Sequence, residues 1–471
     1  MERTVELMEL LEARERRAAR QRELLEQYRR PVISLCMNIA GPVKRSPVIC
    51  RGFREGQARL SAALGAARIP VLFQEEKIAD TGCEALWVAD GPGRQVKALC
   101  AVLEERDGLG RLLDLDVLDR EAPEGRWDRE SLGFPPRPCL ICGRRGRVCA
   151  SRRVHPAEEL QEKTAEIFRA FFARQDREHL AALAMRALLY EVSAAPKPGL
   201  VDRANNGSHR DMDLFRFLDS ASALLPYWLR AVEIGQETSG EWPEDTFRLL
   251  REAGMRAEEA MFRATGGVNT HKGAIFSLGC VLGASGRLWK PEGPCRDPGR
   301  ILAECRAMAA PAMEADLAGL TPASARTGGE RLYTAAGVRG VRGEAAAGFP
   351  SVLQTGLPAL RAAVGRGAGL EEAGVAALLA LMAEAEDTNL AVRGGLEGQR
   401  WAREQAGKLL RETPVPSRQA VEALDRAFIR RNLSPGGCAD LLTLSFFFYF
   451  LEEGDRPGET FPCAQGASFP S

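Results

Sequence analysis

The stretch APKPGLVDRANNGSHRDMD, residues 195–213, interrupts a part of the chain whose apolar residues otherwise recur at helical spacing. Pro196 and Pro198 cannot continue a helix and Gly199 permits an unusual turn, so the chain must leave a helix sharply here. Polar residues follow on a connection between rigid helices, which is where functional side chains tend to lie. The stretch therefore predicts a helical scaffold with a functional loop.

This loop offers more oxygen and nitrogen ligands than an ordinary connection requires. The candidates are Lys197, Asp202, His209, Asp211 and Asp213. The alternative interpretation is that Asp211 or Asp213 only caps the helix that follows.

The periodicity around the loop divides the chain into two kinds of structure. Short β-branched or alternating runs at 32–39, 70–74, 85–90 and 111–119 predict strands in the first third, with amphipathic helices between them. From about Leu160 onward, Ala/Leu/Arg/Glu-rich stretches alternate with Gly/Pro/Asn/Asp punctuation. We predict a multidomain protein: an α+β domain over 1–172, a larger, nearly all-α domain over 173–453, and a flexible tail over 454–471.

Composition excludes several function classes. Lys plus Arg and Asp plus Glu both number 64 in 471 residues, so bulk charge favours neither nucleic acid nor an acidic partner, and we expect no nucleic-acid partner. The longest apolar run, at 441–451, is well below the roughly 20 residues that span a bilayer, so we expect no membrane segment and a buried helix instead. Twelve cysteines without an export signal indicate a cytoplasmic protein with reduced thiols and room for a metal site.

Two aspartates alternate on a predicted strand of the first domain. In GRLLDLDVL, residues 110–118, Asp114 and Asp116 are two positions apart, and their carboxylates therefore point to one face of the sheet. Paired carboxylates suit Mg²⁺ together with substrate phosphates, whereas the alternative is an exposed face of an edge strand. NIAGPVKRS, residues 38–46, adds Lys44 as a candidate phosphate contact in a Gly-Pro turn.

The same domain contains a cysteine and histidine cluster. CLICGRRGRVCASRRVH, residues 139–155, has the spacing C-x₂-C-x₆-C-x₅-H, which could close a tetrahedral zinc site. The alternative is a buried cysteine cluster beside an arginine-rich anion site. The candidate zinc ligands are Cys139, Cys142, Cys149 and His155.

Four further segments of the second domain contain polar residues and glycines that interrupt the helical pattern. They lie at 264–279, 339–349, 384–395 and 432–442. Each could be an ordinary connection between helices, but together they favour a Mg²⁺-nucleotide pocket, since glycine-rich helix starts bind anions. The candidates are Asn269, His271, Lys272, Arg342, Glu344, Asp387, Arg393, Ser434, Gly436, Gly437 and Asp440.

Five motifs in order, EVSAAPKPGLVDRANNGSHRDMD, GGVNTHKGAIFSLG, RGEAAAGFPSV, EDTNLAVRGG and LSPGGCADLL, resemble the triphosphoribosyl-dephospho-CoA synthase family over about 180–445. NIAGPVK, GRLLDLDV and the cysteine motif resemble apo-citrate lyase phosphoribosyl-dephospho-CoA transferase. The chain thus resembles the fused, bifunctional form. It departs from the expected pattern after the third cysteine, where Ala150 and Ser151 precede Arg152.

The resemblance implies that the helical domain joins ATP to 3′-dephospho-CoA and releases adenine. It also implies that the first domain transfers phosphoribosyl-dephospho-CoA to a serine of the apo acyl carrier protein, the γ subunit of citrate lyase, with release of diphosphate. We expect a nucleotidyltransferase-like first domain by analogy. The alternatives are the equivalent maturation of malonate decarboxylase, an ADP-ribosyl hydrolase-like enzyme, and a noncatalytic scaffold that binds CoA-like ligands.

Residue roles follow from this reading. In the helical domain we expect Asp202, Asp211 and Asp387 to be catalytic, because glycosyl transfer develops positive charge that carboxylates stabilise. Asp211 and Asp213 are the expected Mg²⁺ ligands there. Lys272 and Arg393 are expected to bind the triphosphate. In the first domain, Asp114 and Asp116 would hold Mg²⁺ on the departing diphosphate, with Lys44 and Arg111 neutralising charge.

Overall fold

The computed structural model describes residues 3–326 and 328–453. The chain forms two compact units. The first extends to Arg174 and includes Lys290–Gly293, and the second comprises Gln175–Trp289 and the described residues from Pro294 to Glu453. A small unit with a sheet and a larger helical unit confirm the multidomain prediction. The predicted flexible tail, residues 454–471, lies outside the described residues.

The first unit contains a four-stranded antiparallel sheet in the order β2-β3-β1-β4. The strands are β1 (Val32–Met37), β2 (Val71–Ala79), β3 (Gly82–Ala89) and β4 (Leu113–Leu118). The helices are α1 (Leu7–Tyr28), α2 (Pro47–Ala66), α3 (Gly93–Glu105) and α4 (Gly146–Ser151). A long helix, α5 (Ala157–Ser193), continues from the first unit into the second.

Alternation along β4 determines which of its side chains reach the core. Leu115 and Val117 are fully buried in the cluster that packs the sheet against α2 and α3. Asp114 and Asp116 therefore lie on the opposite face, as the spacing predicted. β4 is an edge strand, and the two aspartate side chains keep 52% and 42% of their surface exposed.

The described part of the second unit beyond α5 is helical. Its helices are α6 (Leu214–Glu237), α7 (Pro243–Thr265), α8 (Lys272–Arg287), α9 (Pro298–Ala318), α10 (Gly328–Ala336), α11 (Gly340–Ala347), α12 (Leu357–Gly365), α13 (Leu370–Glu384), α14 (Thr388–Glu412), α15 (Arg418–Arg430) and α16 (Gly436–Glu453). A π turn, Val352–Gly356, precedes α12, and α14 is interrupted at Gly395, whose φ is 65° and ψ is −176°.

The apolar run at 441–451 lies within α16 and is buried along its whole length, which confirms the predicted buried helix. Its aromatic side chains pack in one continuous core with apolar side chains of α5, α8 and α13. The polar starts of α8 and α16 are thereby fixed at one cavity. Within the described ranges, no helix is both long and apolar enough to cross a membrane.

Candidate active sites

Segments far apart in sequence line one cavity of about 370 Å³ in the second unit. The wall is formed by the end of α5, the loop before α6, and the starts of α8, α11, α14 and α16. The predicted residues on it are Lys197, His209, Asn269, His271, Lys272, Glu344, Arg393, Ser434, Gly436, Gly437 and Asp440. The sequence motifs therefore converge on a single cavity.

Two predicted catalytic residues, Asp202 and Asp387, do not line this cavity. Asp202 is 2% exposed, and its carboxylate accepts the backbone N–H groups of Lys197, Ala204 and Asn205 at 2.7, 2.6 and 3.0 Å. These bonds hold the loop in shape. The contacts favour a structural role for Asp202 over the catalytic role predicted for it.

Asp387 is fully buried at the start of α14. Its Oδ1 accepts the backbone N–H groups of Asn389 and Leu390 at 2.8 and 3.0 Å, and its Oδ2 accepts that of Cys438 at 2.8 Å. Asp387 thus caps α14 and fixes the start of α16 against it. These contacts likewise favour a structural role over a catalytic one.

The predicted Mg²⁺ pair of the second unit, Asp211 and Asp213, is also absent from the cavity lining. Asp213 accepts the backbone N–H of Arg216 at 2.9 Å and is the N-cap of α6. This is the capping role that the sequence offered as the alternative to a functional one. Asp211 is exposed, and its backbone carbonyl accepts from Arg216 Nη1 at 2.9 Å. Arg342 lines a neighbouring cavity of about 280 Å³ and pairs with Glu330 at 3.4 Å.

The carboxylates that do line the cavity include Glu191 and Asp440. Glu191, near the end of α5, is buried and contacts Lys197 Nζ at 2.5 Å in an ion pair whose two side chains are 5% and 1% exposed. Burial raises the pKa of Glu191, and the Lys197 charge opposes the rise. Burial, followed by the charges of Glu191 and Asp387, raises the pKa of Asp440 well above its usual value. The cavity thus concentrates acidic groups that lose hydration.

His271 is the N-cap of α8 and presents an unpaired ring nitrogen. Thr270 Oγ1 donates to Ser220 Oγ at 2.8 Å, and Ser220 Oγ lies within hydrogen-bond distance of His271 Nδ1, at 2.7 Å. The other ring nitrogen, Nε2, is buried and has no hydrogen-bond partner among the described residues. Burial, with a smaller effect of the Lys197 charge, lowers the pKa of His271 to about 3, so the ring is neutral at pH 7.

A second histidine joins three segments at the cavity. Arg393 Nη2 donates to His209 Nδ1 at 3.2 Å, and His209 Nε2 lies 2.9 Å from Ser434 Oγ. A guanidinium only donates, so the neutral ring carries its proton on Nε2 and donates to Ser434. Burial and the Arg393 charge lower the pKa of His209. The Ser434 hydroxyl keeps its own proton available for a ligand.

Glycine at the start of α16 permits close packing around the cavity. A Cβ at Gly436 would lie 2.4 Å from Asn389 Nδ2, and a Cβ at Gly437 would lie 3.1 Å from Asp387 Oδ2. Any larger residue at position 436 would displace the side chain of Asn389. The glycine pair therefore keeps the N-terminus of α16 exposed to the cavity, where backbone N–H groups favour an anion.

In the first unit, Asp114 lines a larger cavity of about 840 Å³. Asp114 Oδ1 lies 3.4 Å from Arg137 Nη1, and Asp116 Oδ1 lies 3.6 Å from Arg126 Nη1. Crowding by protein atoms and the charge of Asp116 raise the pKa of Asp114. Arg111 lines the same cavity with its buried Nη1 unpaired.

Lys44, the other predicted phosphate contact, does not line this cavity. Its ammonium group donates to the backbone carbonyl of Ile39, and burial lowers its pKa. The turn at 38–46 thus uses this lysine to close itself. Arg137, which sequence analysis did not single out for a role, stands instead at the cavity beside Asp114.

The four predicted zinc ligands come together at the edge of the same cavity. Their ligand atoms all lie within 4.8 Å of one another. The pKa of Cys142 is lowered to about 6, first by the backbone N–H of Arg144 and then by His155. Burial raises the pKa of Cys149 to about 11. The sequence spacing thus corresponds to a compact cluster.

Comparisons with known proteins cover both units. A family model of ATP:dephospho-CoA triphosphoribosyl transferase matches residues 177–458, and one of apo-citrate lyase phosphoribosyl-dephospho-CoA transferase matches residues 5–171. Protein CitXG of Haemophilus influenzae is 35% identical over 454 residues, which cover 94% of this chain and 96% of that protein. This chain belongs to the fused CitXG family. The resemblance inferred from the motifs is confirmed.

Further relatives agree with this assignment. Protein CitXG of Leuconostoc mesenteroides subsp. cremoris is 35% identical over 460 residues, which cover 94% of this chain and 96% of that protein. A probable 2-(5''-triphosphoribosyl)-3'-dephosphocoenzyme-A synthase of Albidiferax ferrireducens is 44% identical over 280 residues, 59% of this chain and 91% of that protein. This CitXG-family chain is a bifunctional transferase of citrate lyase prosthetic-group synthesis.

Two acids that line the cavity of the second unit, Glu191 and Glu386, were not predicted from the sequence. Glu191 belongs to the quoted EVSAAPKPG motif, but an acid near a helix end gives no sign that it faces a cavity. Glu386 directly precedes the cap residue Asp387, and only Asp387 was named as a candidate from the sequence. One feature of the sequence could have indicated Glu191. It lies six residues before Lys197, a spacing that allows a buried ion pair across the helix end.

Proposed function

We propose that the second unit joins ATP to 3′-dephospho-CoA in the cavity lined by Glu191, His271 and Asp440. The 2′-hydroxyl oxygen of dephospho-CoA forms a bond to C1″ of the ATP ribose, and the bond from C1″ to adenine breaks. The hydroxyl proton passes to a carboxylate, and the departing adenine takes up a proton. The product is 2′-(5″-triphosphoribosyl)-3′-dephospho-CoA.

One observation carries this proposal: carboxylates and helix starts share a single cavity. Positive charge develops at C1″ during glycosyl transfer, and carboxylates at that point stabilise it. We assign Asp440 as the base for the hydroxyl proton and Glu191, held by Lys197, as the stabilising charge. These two replace Asp202, Asp211 and Asp387 in the catalytic assignment.

The triphosphate of ATP has several donors in the same cavity. The N-termini of α8 and α16 supply backbone N–H groups, and Lys272 and Arg393 supply charge. Neutral His271 and the Ser434 hydroxyl supply uncharged hydrogen-bonding groups. Mg²⁺ would be held by phosphate oxygens and one acid of the lining, for which Glu344 replaces Asp211 and Asp213.

For the first unit, we assign the transfer to the carrier protein to the cavity beside Asp114. The serine oxygen of the carrier attacks the phosphorus nearest the ribose, the bond to diphosphate breaks, and the serine proton passes to a carboxylate. Asp114 and Asp116 would hold Mg²⁺ on the departing diphosphate, and Arg111 and Arg137 would neutralise its charge. Paired carboxylates on an antiparallel strand support a nucleotidyltransferase-like arrangement by analogy.

The partner in this reaction is the apo acyl carrier protein, the γ subunit of citrate lyase. We place the reaction in the cytoplasm, where ATP is available and where thiols such as the eleven free cysteines of the described residues stay reduced.

The proposal is tested by incubating the protein with ATP, Mg²⁺, dephospho-CoA and the apo carrier protein. Adenine release is followed chromatographically, and the carrier is weighed intact by mass spectrometry. Adenine release that requires dephospho-CoA supports the proposal. Water-dependent cleavage of ADP-ribosyl substrates would favour a hydrolase, and preferential modification of the malonate decarboxylase carrier would reassign the partner.

A further inference from the structure

A short hairpin and helix α4 bring the cysteines and the histidine together. The backbone N–H of Cys139 donates to Arg144 O at 2.6 Å, and that of Gly143 donates to Cys139 O at 3.2 Å. Gly143 has a φ of +70°, so the tight turn after Cys142 favours glycine. Cys149 lies on α4, and the backbone N–H of Val154 donates back to Cys149 O at 3.0 Å. Three backbone elements therefore converge on one point.

The spacing of the sulfur and nitrogen atoms fits a tetrahedral metal site. Zn–S bonds of about 2.3 Å in a tetrahedron place two sulfur atoms about 3.8 Å apart. Cys142 Sγ and Cys149 Sγ are 3.5 Å apart, and all four ligand atoms lie within 4.8 Å of one another. The cluster would accept a metal ion with only small movements of the side chains.

His155 provides a second, independent observation. Its Nδ1 lies 3.2 Å from Glu159 Oε2, whereas its Nε2 is buried and has no hydrogen-bond partner. A histidine that binds a metal through one nitrogen usually donates from the other nitrogen to a carboxylate or a carbonyl. His155 has this arrangement, with Glu159 as the orienting carboxylate.

We infer that Cys139, Cys142, Cys149 and His155 bind one Zn²⁺ ion in a closed structural site. Three sulfur ligands and one imidazole favour zinc over Mg²⁺, which prefers oxygen. Four protein ligands leave no position for water or substrate, so the ion holds the backbone and takes no part in the transfer reaction.

The zinc site fixes a basic wall of the cavity beside Asp114. Residues 134–156 contain six arginines and no acidic residue. Arg137, two residues before the first ligand, donates to Leu113 O at 2.6 Å and lies 3.4 Å from Asp114 Oδ1. Arg147 and Arg153 lie between the ligands and line the same cavity. Zinc would therefore hold these guanidinium groups where a polyphosphate could bind.

The decisive measurement is the zinc content of the full-length protein. It is measured once after purification without chelators and again after incubation with Zn²⁺ and desalting. We expect about one zinc per chain. Less than about one tenth of an equivalent after incubation, with the thiols reduced, would overturn the inference. A Cys142–Cys149 disulfide in protein isolated with reductant would overturn it as well.

Variants locate the ion. Cys142→Ser and His155→Gln should each lower the zinc content at least several-fold, whereas Cys50→Ser should retain it, because Cys50 lies on α2 outside the cluster. Protein loaded with Co²⁺ should show the absorption of a tetrahedral thiolate site, and Cys142→Ser should lose it. Unchanged zinc content in both ligand variants would overturn the assignment of the ligands.

The consequence for the carrier reaction rests on the proposed function of the first unit. Cys142→Ser should raise the KM of the triphosphoribosyl substrate at least tenfold and leave adenine release by the second unit within twofold. Because zinc content is measured separately, loss of zinc without any effect on the transfer would refute only the role of the basic wall. Retained adenine release shows that the variant is folded in its second unit.

Discussion

The carboxylate of Asp440 lies where a side chain at residue 273 would be: a Cβ built on Gly273 would be 1.9 Å from Asp440 Oδ2. Gly273 is the second residue of α8, and Asp440 lies in the second turn of α16. The absence of a side chain at residue 273 thus lets an acid of one helix approach the N-terminus of another. In this position Asp440 accepts the backbone N–H of Ala274 and faces the cavity.

Gly273→Ala should therefore lower adenine release by at least tenfold. The added methyl group would displace the Asp440 carboxylate or the start of α8, an overpacking that typically destabilises by about 1–3 kcal/mol. Steady-state adenine release and thermal unfolding measure the two effects. Gly365→Ala is the matched control, because nothing lies within 4 Å of a Cβ at that helical position, and it should change neither quantity.

Asp440→Asn should abolish most adenine release, by a factor of about 10²–10⁴, because it removes the proposed general base. The variant should be no less stable at pH 7. The raised pKa of Asp440 means that the folded state disfavours its ionised form, so replacing the acid with a neutral amide relieves that penalty. Full activity in a folded variant would reassign the base.

Asp387→Asn and Asp211→Asn should separate structural from catalytic acids. The side-chain NH₂ group of asparagine cannot accept all the backbone N–H groups that Asp387 accepts, so we expect a loss of about 1–3 kcal/mol in stability. Asp211→Asn should retain adenine release within about twofold, because Asp211 is exposed and outside the cavity lining. A hundredfold loss in Asp211→Asn at unchanged stability would return Asp211 to the catalytic group.

The stability of the second unit should decrease below pH 6.5, in part through His271. Burial lowers the pKa of this residue to about 3 in the folded state, whereas the unfolded chain takes up a proton near pH 6.5. The unfolded state then binds more protons, so stability falls as pH falls through this range, by about 2 kcal/mol between pH 7 and pH 5. Urea unfolding at both pH values measures this, and His271→Asn should remove that share of the difference. An equal pH dependence in the variant would show that other groups cause it.

Local sequence patterns predicted the features that depend on residues close together in the sequence. The two-residue alternation of β4 placed Leu115 in the core and Asp114 on the other face, and the prolines at 196 and 198 correctly indicated the end of a helix. The apolar run at 441–451 became a buried helix. Each of these depends on periodicity or backbone geometry within about ten residues.

The direction in which the acidic side chains of the loop point could not be predicted. It depends on contacts between residues more than 200 positions apart in the sequence. The backbone N–H of Gly199 donates to Asp425 Oδ1 at 2.8 Å, and Asn205 donates to Asp425 Oδ2 at 2.9 Å. These bonds turn the loop so that Asp202 accepts from backbone and Lys197 reaches Glu191. Nothing in the sequence near Asp202 distinguishes an acid that holds a loop from one that faces a ligand.

The central claim is that each unit performs one step at its own site, and mixing two variants tests it most directly. Asp440→Asn should lose most adenine release, and Asp114→Asn should release adenine but leave the carrier unmodified. An equimolar mixture of the two, with ATP, Mg²⁺ and dephospho-CoA, should restore the mass increase of the carrier protein. Modification by Asp440→Asn alone, or an unmodified carrier in the mixture when both variants are folded, would contradict the account.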